Sequence, residues 1–124
     1  MLALNPRDVV ALNNLAYALA EHKQRPGDAL PYAERAYGLF PRDGSIIDTL
    51  AWTYHLLGRF GDAMKYSTMA LQLQPTNPEL VLNRAAILLA NGDKANAKAA
   101  LEYALKLDPS LAERDRVKKL QAGM

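Results

Sequence analysis

Apolar residues recur along the chain at steps of three and four, the spacing that gathers side chains on one face of an α-helix. From about Asp8 to His22 the stripe is Leu12, Leu15, Ala16 and Leu19, with Asp8 as the expected N-cap. The run HKQRPG interrupts it, and Pro26 suits the first turn of a second helix carrying Ala29, Ala33, Ala36 and Tyr37. A third helix starts around Gly44, carries Ile47, Leu50, Ala51 and Tyr54, and closes at Gly58, a residue fitted to a left-handed cap. A fourth carries Phe60, Ala63, Met64, Ala70, Leu71 and Leu73. Asn77-Pro78 opens a fifth with a capping residue and a proline at the first helical position; Val81, Ala85 and Leu88 follow, and Gly92 stops it. Ala97, Leu101, Ala104 and Leu105 mark a sixth. After Asp108-Pro109, SLAERDRVKKLQ predicts a seventh with a thin stripe of Leu111, Val117 and Leu120. No segment alternates at period two over strand length, so the expected class is all-α.

The helices come in pairs on a fixed beat. Pro6, Pro41, Pro75 and Pro109 each follow an apolar run and lie 35, 34 and 34 residues apart. A period in this range marks a solenoid of stacked helix pairs, in which each pair buries its face against its neighbours. The recurring alanines allow close helix approach, because the distance between helix axes depends on the side chains at the contact. The expected organisation is one domain over 1–124. Residues 1–7 are the end of a preceding repeat, 8–43, 44–77 and 78–109 are three repeats, and 110–124 form a capping helix. Residues 2–6, LALNP, have the form in which the other repeats end, so the chain reads as the C-terminal part of a longer array. One extra residue in the HKQRPG turn accounts for the interval of 35.

In this register the chain resembles the tetratricopeptide repeat (TPR) family, whose pattern is a large residue, Leu-Gly and Tyr on the first helix, then Ala, a bulky residue, Ala and Pro on the second. The middle repeat matches with Ile47, Leu50-Ala51, Tyr54, Gly58, Ala63, Ala70 and Pro75, and departs at Ser67, where a bulky residue is usual. The first matches with Leu12, Leu15-Ala16, Leu19, Ala29, Ala33, Ala36 and Pro41. The third matches with Val81, Ala85, Leu88, Gly92, Ala97, Leu101, Ala104 and Pro109, with Arg84 where leucine is usual. LNNLAYALAE followed by IIDTLAWTYHLLGRFGDAM is similar to bacterial, envelope-associated members, some of them from exopolysaccharide or protein-sorting systems. The resemblance implies a right-handed α-solenoid of three helix pairs with a C-terminal cap, and a protein–protein interaction scaffold. In the family, the first helices line a concave groove that holds a peptide or helix of a partner. The alternative is a structural segment that continues a longer solenoid and self-associates.

By register, the groove residues are Asn13, Tyr17 and Glu21 from the first repeat, Asp48, Trp52 and His55 from the second, and Glu79 and Leu82 from the third, with Val10, Ala20, Ser45, Leu56, Ala86, Leu89 and Ala90 beside them. Tyr17 and Trp52 hold equivalent places and are expected as neighbours. Trp52, the single tryptophan, has two competing roles: an anchor for a peptide side chain, or packing against the next repeat. Glu21, Asp48 and Glu79 tint the groove acidic, which suits a ligand with Lys, Arg or a free amino terminus; solvated charge is the plainer alternative. Family members that grip carboxylate tails use Lys, Asn and Arg on this face. The matching positions here, Asn13, Tyr17, Thr49, Glu79 and Asn83, hold no basic residue, which argues against that class. Arg84 is expected to lay its stem along the core with its charge outside rather than to pair with Asp48.

Composition adds exclusions. A formal charge of +2 on 124 residues leaves no one-signed patch for nucleic acid. The densest basic cluster, Arg114, Arg116, Lys118 and Lys119, is interleaved with Glu113 and Asp115 and reads as the solvated face of the terminal helix. There are no cysteines, hence no disulfide, thiolate chemistry or cysteine zinc site. No apolar run approaches a membrane span. His22 and His55 lack companions for a metal site; His22 is expected at a solvated helix end. No phosphate loop or Ser–His–carboxylate arrangement is present. The expectation is a non-enzyme with no cofactor, whose partner is a protein or peptide.

Overall fold

A computed structural model describes residues 6–124, with side chains from Val9 onward. Helix α1 spans Pro6–Tyr17 and runs on as a π-helical segment, Ala18–His22. There follow α2 (Pro26–Leu39), α3 (Gly44–Leu56), α4 (Phe60–Leu73), α5 (Pro78–Ala90), α6 (Lys94–Leu107), a 3-10 helix over Pro109–Glu113 and α7 (Asp115–Ala122). Helices pack as pairs α1–α2, α3–α4 and α5–α6, and α3 also touches α1 and α5. This is an all-α solenoid of stacked helix pairs. The expected tail of a preceding repeat falls largely outside the described residues. Pro6 already belongs to α1, so Asp8 lies within the helix and not at its cap.

The caps follow from local chemistry. The Asp43 carboxylate accepts from the Ser45 and Ile46 amides, and the Asn77 side chain accepts from Glu79, each pairing amides that the first helical turn leaves free. Gly58 (φ 78) and Gly92 (φ 84) close α3 and α5 in the left-handed region, which glycine enters without steric cost. Gln24, at the matching place in the first pair, adopts φ 52 without being glycine.

The position of the extra residue is therefore corrected. Gln24, Gly58 and Gly92 keep the strict interval of 34, whereas Tyr17 and Trp52 are 35 apart. The insertion lies between Tyr17 and Gln24, where the π-helical segment widens the helix by one residue per turn, largely upstream of the HKQRPG turn.

The second helices of each pair bury one narrow face, through Ala29, Ala33 and Ala36 on α2, Ala63, Ser67 and Ala70 on α4, and Ala97, Leu101 and Ala104 on α6. Helix α3 is enclosed nearly all round, with every residue from Ile46 to Tyr54 buried. Its stripe residues Ile47, Leu50 and Ala51 carry the centre of the core. Leu15, expected on the core face of α1, is instead 43% exposed, while Ala16 beside it is fully buried. Arg84 is half-buried and its Nη1 donates to Thr68 Oγ1 on α4 at 3.0 Å, so its head ends away from Asp48.

The terminal segment is not one helix. Arg114 takes an extended conformation (φ −75, ψ 135) that separates the 3-10 turn from α7. Leu111 and Val117, either side of that break, are fully buried in one cluster with Val81, Leu82, Ala85, Leu101 and Ala104. The cap is thus bolted to the last pair by two side chains, and the break turns α7 toward the first-helix face.

Candidate groove and its resident arginine

The first helices α1, α3 and α5 side by side form the floor of a groove. A cavity of about 460 Å³ opens in it, lined among others by Asn13, Tyr17, Asp48, Glu79, Asn83 and Arg116. A second, of about 450 Å³, is lined by Glu21, Trp52, His55, Leu89, Arg116 and Leu120. Arg116 borders both, so one side chain of α7 divides the groove.

The three carboxylates expected to tint this face meet different fates. Glu21 accepts a hydrogen bond from the Trp52 indole Nε1 at 2.7 Å. Glu79 pairs with Arg114 at 2.6 Å in a contact that is nearly half exposed on both sides. Asp48 is 7% exposed; its Oδ2 accepts from the Asn83 amide at 2.5 Å, and its Oδ1 is enclosed without a partner. Burial pushes the Asp48 carboxyl up to about 7, against the opposing pull of the Asn83 hydrogen bond and the Arg116 charge. Asn13 Oδ1 is a second enclosed acceptor without a partner. Buried acceptors of this kind are costly, so two at one cavity are uncommon.

Trp52 is 5% exposed, so the packing role is the one it fills here. His55 lies against it, with ring centroids 4.5 Å apart, and the Arg116 guanidinium sits 4.5 Å from the centre of its ring. A cation over an indole face is attracted by the ring quadrupole. Tyr17 packs on the same cluster and meets His22 edge-on at 6.0 Å. Burial raises the Tyr17 hydroxyl above its usual range, and burial followed by the Arg116 charge holds the His55 imidazole below 6.5. His22 is exposed, at the end of its helix and on the rim of the first cavity.

Two expectations are corrected. Leu82, assigned to the groove because it repeats Asn13 and Asp48 in register, is 0% exposed. Leu111 and Val117 pack in its cluster, so the terminal segment covers this position. The basic cluster of that segment is not simply solvated: Lys118 and Lys119 are exposed, but Arg114 pairs with Glu79, and Arg116 Nη2 donates to Asn83 Oδ1. The first-helix face thus has a basic residue after all, supplied from outside the three repeats. Register alone misses it, because α7 belongs to no repeat; the available signal was the pair of arginines two residues apart beside the core residue Val117.

Among the described residues, no group of three or more His, Asp or Glu side chains could hold a metal ion, and no helix is long and apolar enough to cross a membrane.

Comparison with known proteins agrees with this architecture. The chain is 36% identical over 75 residues to a TPR repeat-containing protein of Pseudomonas aeruginosa, a match covering 60% of this chain and 13% of that protein. The chain therefore corresponds to a small part of that relative's length. Its backbone superimposes on the Yersinia enterocolitica type III secretion chaperone SycD, solved in complex with a peptide of the translocator YopD. The TM-score is 0.76 and the identity 20%, over 96% of this chain and 94% of that one. The family model for the tetratricopeptide repeat matches residues 46–77 and 78–111, more than half of the chain, and the chain belongs to the tetratricopeptide repeat family.

Proposed function

We propose that this protein–protein interaction scaffold binds a peptide segment of a partner in the groove formed by α1, α3 and α5. The observation that carries the reading is the cavity of about 460 Å³ whose floor holds two enclosed acceptors, Asn13 Oδ1 and Asp48 Oδ1, without partners. A ligand that donates to them removes a desolvation cost the fold otherwise bears. Tyr17 and Asn83 line the same cavity and offer further polar contacts. The Yersinia chaperone of like fold, solved with a peptide of its translocator, supports a peptide as the class of ligand.

The test is selection of peptides from a displayed random library against the full chain. The sole tryptophan serves as reporter. Selected peptides are expected to shift the Trp52 indole N–H resonance and to lose at least tenfold in affinity on Asp48→Ala. Peptides that bind with neither effect place the interaction elsewhere and sink the groove reading.

A second reading, self-association within a longer solenoid, has its own support. Val10 is 56% and Leu15 43% exposed on α1, two large apolar side chains on different sides of the first helix of the stack. Sedimentation across a range of concentrations tests it: Val10→Glu with Leu15→Glu abolishes any association that runs through this end.

A further inference from the structure

The side chains of α7, and of Arg114 just before it, meet the groove much as a bound ligand would. Arg114 pairs with Glu79, Arg116 donates to Asn83 and lies over Trp52, and Leu120 packs against the cluster that contains Trp52 and Ala86. Two cations and one aliphatic side chain from a short stretch thereby engage residues of α3 and α5. The resident is nevertheless a poor fit. Of α7 itself only Val117 is fully buried. The Arg114–Glu79 pair is close to half exposed, and solvent screening makes such pairs weak. Arg116 leaves Asp48 Oδ1 and Asn13 Oδ1 without partners, although it lines the same cavity.

We propose that the partner segment carries an arginine that seats between Trp52, Asn83 and Asp48, and that Arg116 holds this seat until the partner displaces α7. The planar guanidinium suits the seat because it can stack on the indole and still donate several hydrogen bonds, which an ammonium cannot do as a unit. A competing arginine gains what the resident lacks, a donor aimed at the enclosed Asp48 Oδ1. The extended residue Arg114 supplies the pivot, since α7 can leave while Leu111 stays bolted to the last pair. This inference rests on the groove being the peptide site.

The test uses the full chain, as wild type and as Arg116→Ala, with a blocked peptide of residues 109–124 as probe and Trp52 emission as readout. Arg116→Ala is expected to bind the peptide at least tenfold more tightly than wild type. Glutamine in place of the peptide's arginine at 116 is expected to remove that gain, and lysine to keep only part of it. Equal affinity of both chains, equal affinity of the arginine and glutamine peptides, or no binding to either chain overturns the proposal. Should Arg116→Ala fail to fold, Arg116→Gln takes its place. In the wild type, the peptide is expected to move the Val117 methyl resonances toward solvent-exposed values, and unmoved resonances at saturation also overturn the proposal. Asp48-dependent binding that is equal in both chains leaves the groove reading intact and overturns this inference alone.

Discussion

Asn83 donates its side-chain amide to Asp48 across 2.5 Å, a link between residues 35 apart that joins the first helices of the second and third pairs at the groove floor. The orientation of that amide is set from both sides, because its oxygen receives Arg116. A buried acid, a neutral amide and an arginine thus form a chain, and its weakest member is the acid, whose second oxygen has no donor.

Asp48 makes stability depend on pH. Its folded pKa of about 7 lies above the ordinary 3.8, so the folded state holds the proton more tightly than the unfolded chain. The contribution of this group is fully present below pH 3.8, is lost as pH rises through 7, and is level above that. The displacement corresponds to roughly 4 kcal/mol. Arg116, Glu79 and Tyr17 share its surroundings. His55, with its folded pKa held below 6.5, acts in the opposite direction as pH falls. The comparison is therefore wild type against Asp48→Asn, which stays neutral. Urea unfolding at pH 5 and pH 8 is expected to show the variant gaining on the wild type at the higher pH; parallel profiles would contradict it. The same variant is expected to bind groove peptides more weakly, a trade of function for stability.

Ser67 is a second place where the fold carries an unpaired polar atom. It is 1% exposed and its Oγ has no hydrogen-bond partner, in the face of α4 whose counterparts are Ala33 and Leu101. Ser67→Ala removes the buried hydroxyl and adds helix propensity. It is expected to stabilise the fold by about 1 kcal/mol and to raise the thermal midpoint by a few degrees. Ser67 is remote from the groove, so peptide affinity is expected to stay the same.

The architecture was legible because each pair repeats the same punctuation. Asn77-Pro78, Gly58, Gly92, the alanine triplet of α2 and the alanines of α4 and α6 at the same register each have one conformational meaning, and they recur in register. Two features escaped for definite reasons. The interval of 35 revealed an insertion but not its place; the lack of glycine at Gln24, whose left-handed backbone is in line with Gly58 and Gly92, hid that the turn itself is in register. Arg116 escaped because periodicity treats charges on a short terminal helix as solvent-facing. Where α7 points depends on the extended backbone at Arg114, and no repeat supplies a template for it. Leu82 vanished under Leu111 and Val117 for the same reason.

Gln24 bears a conformational cost that its counterparts avoid. A side chain in the left-handed region costs about 1–2 kcal/mol, which glycine escapes. Gln24→Gly is expected to stabilise the fold by up to about 1 kcal/mol, since added freedom in the unfolded chain offsets part of the gain. Chemical denaturation reads this directly. Destabilisation would mean that the glutamine side chain makes a compensating contact in the turn.

The π-helical segment sets Glu21 against Trp52. The extra residue lies between Tyr17 and Gln24, and Glu21 belongs to the widened turn that absorbs it, with its carboxylate 2.7 Å from the indole nitrogen. The contact bridges the first and second pairs across 31 residues, and a hydrogen bond to a charged acceptor contributes roughly 1–3 kcal/mol. Glu21→Ala leaves a mostly buried indole N–H without its acceptor. It is expected to cost about 1–2 kcal/mol in urea unfolding and to move the Trp52 indole N–H resonance upfield. Glu21→Gln keeps an acceptor oxygen and is expected to restore most of both. An unchanged indole resonance in Glu21→Ala would show that the indole finds its acceptor elsewhere, and that the π-helical turn does not serve to position the Trp52 ring.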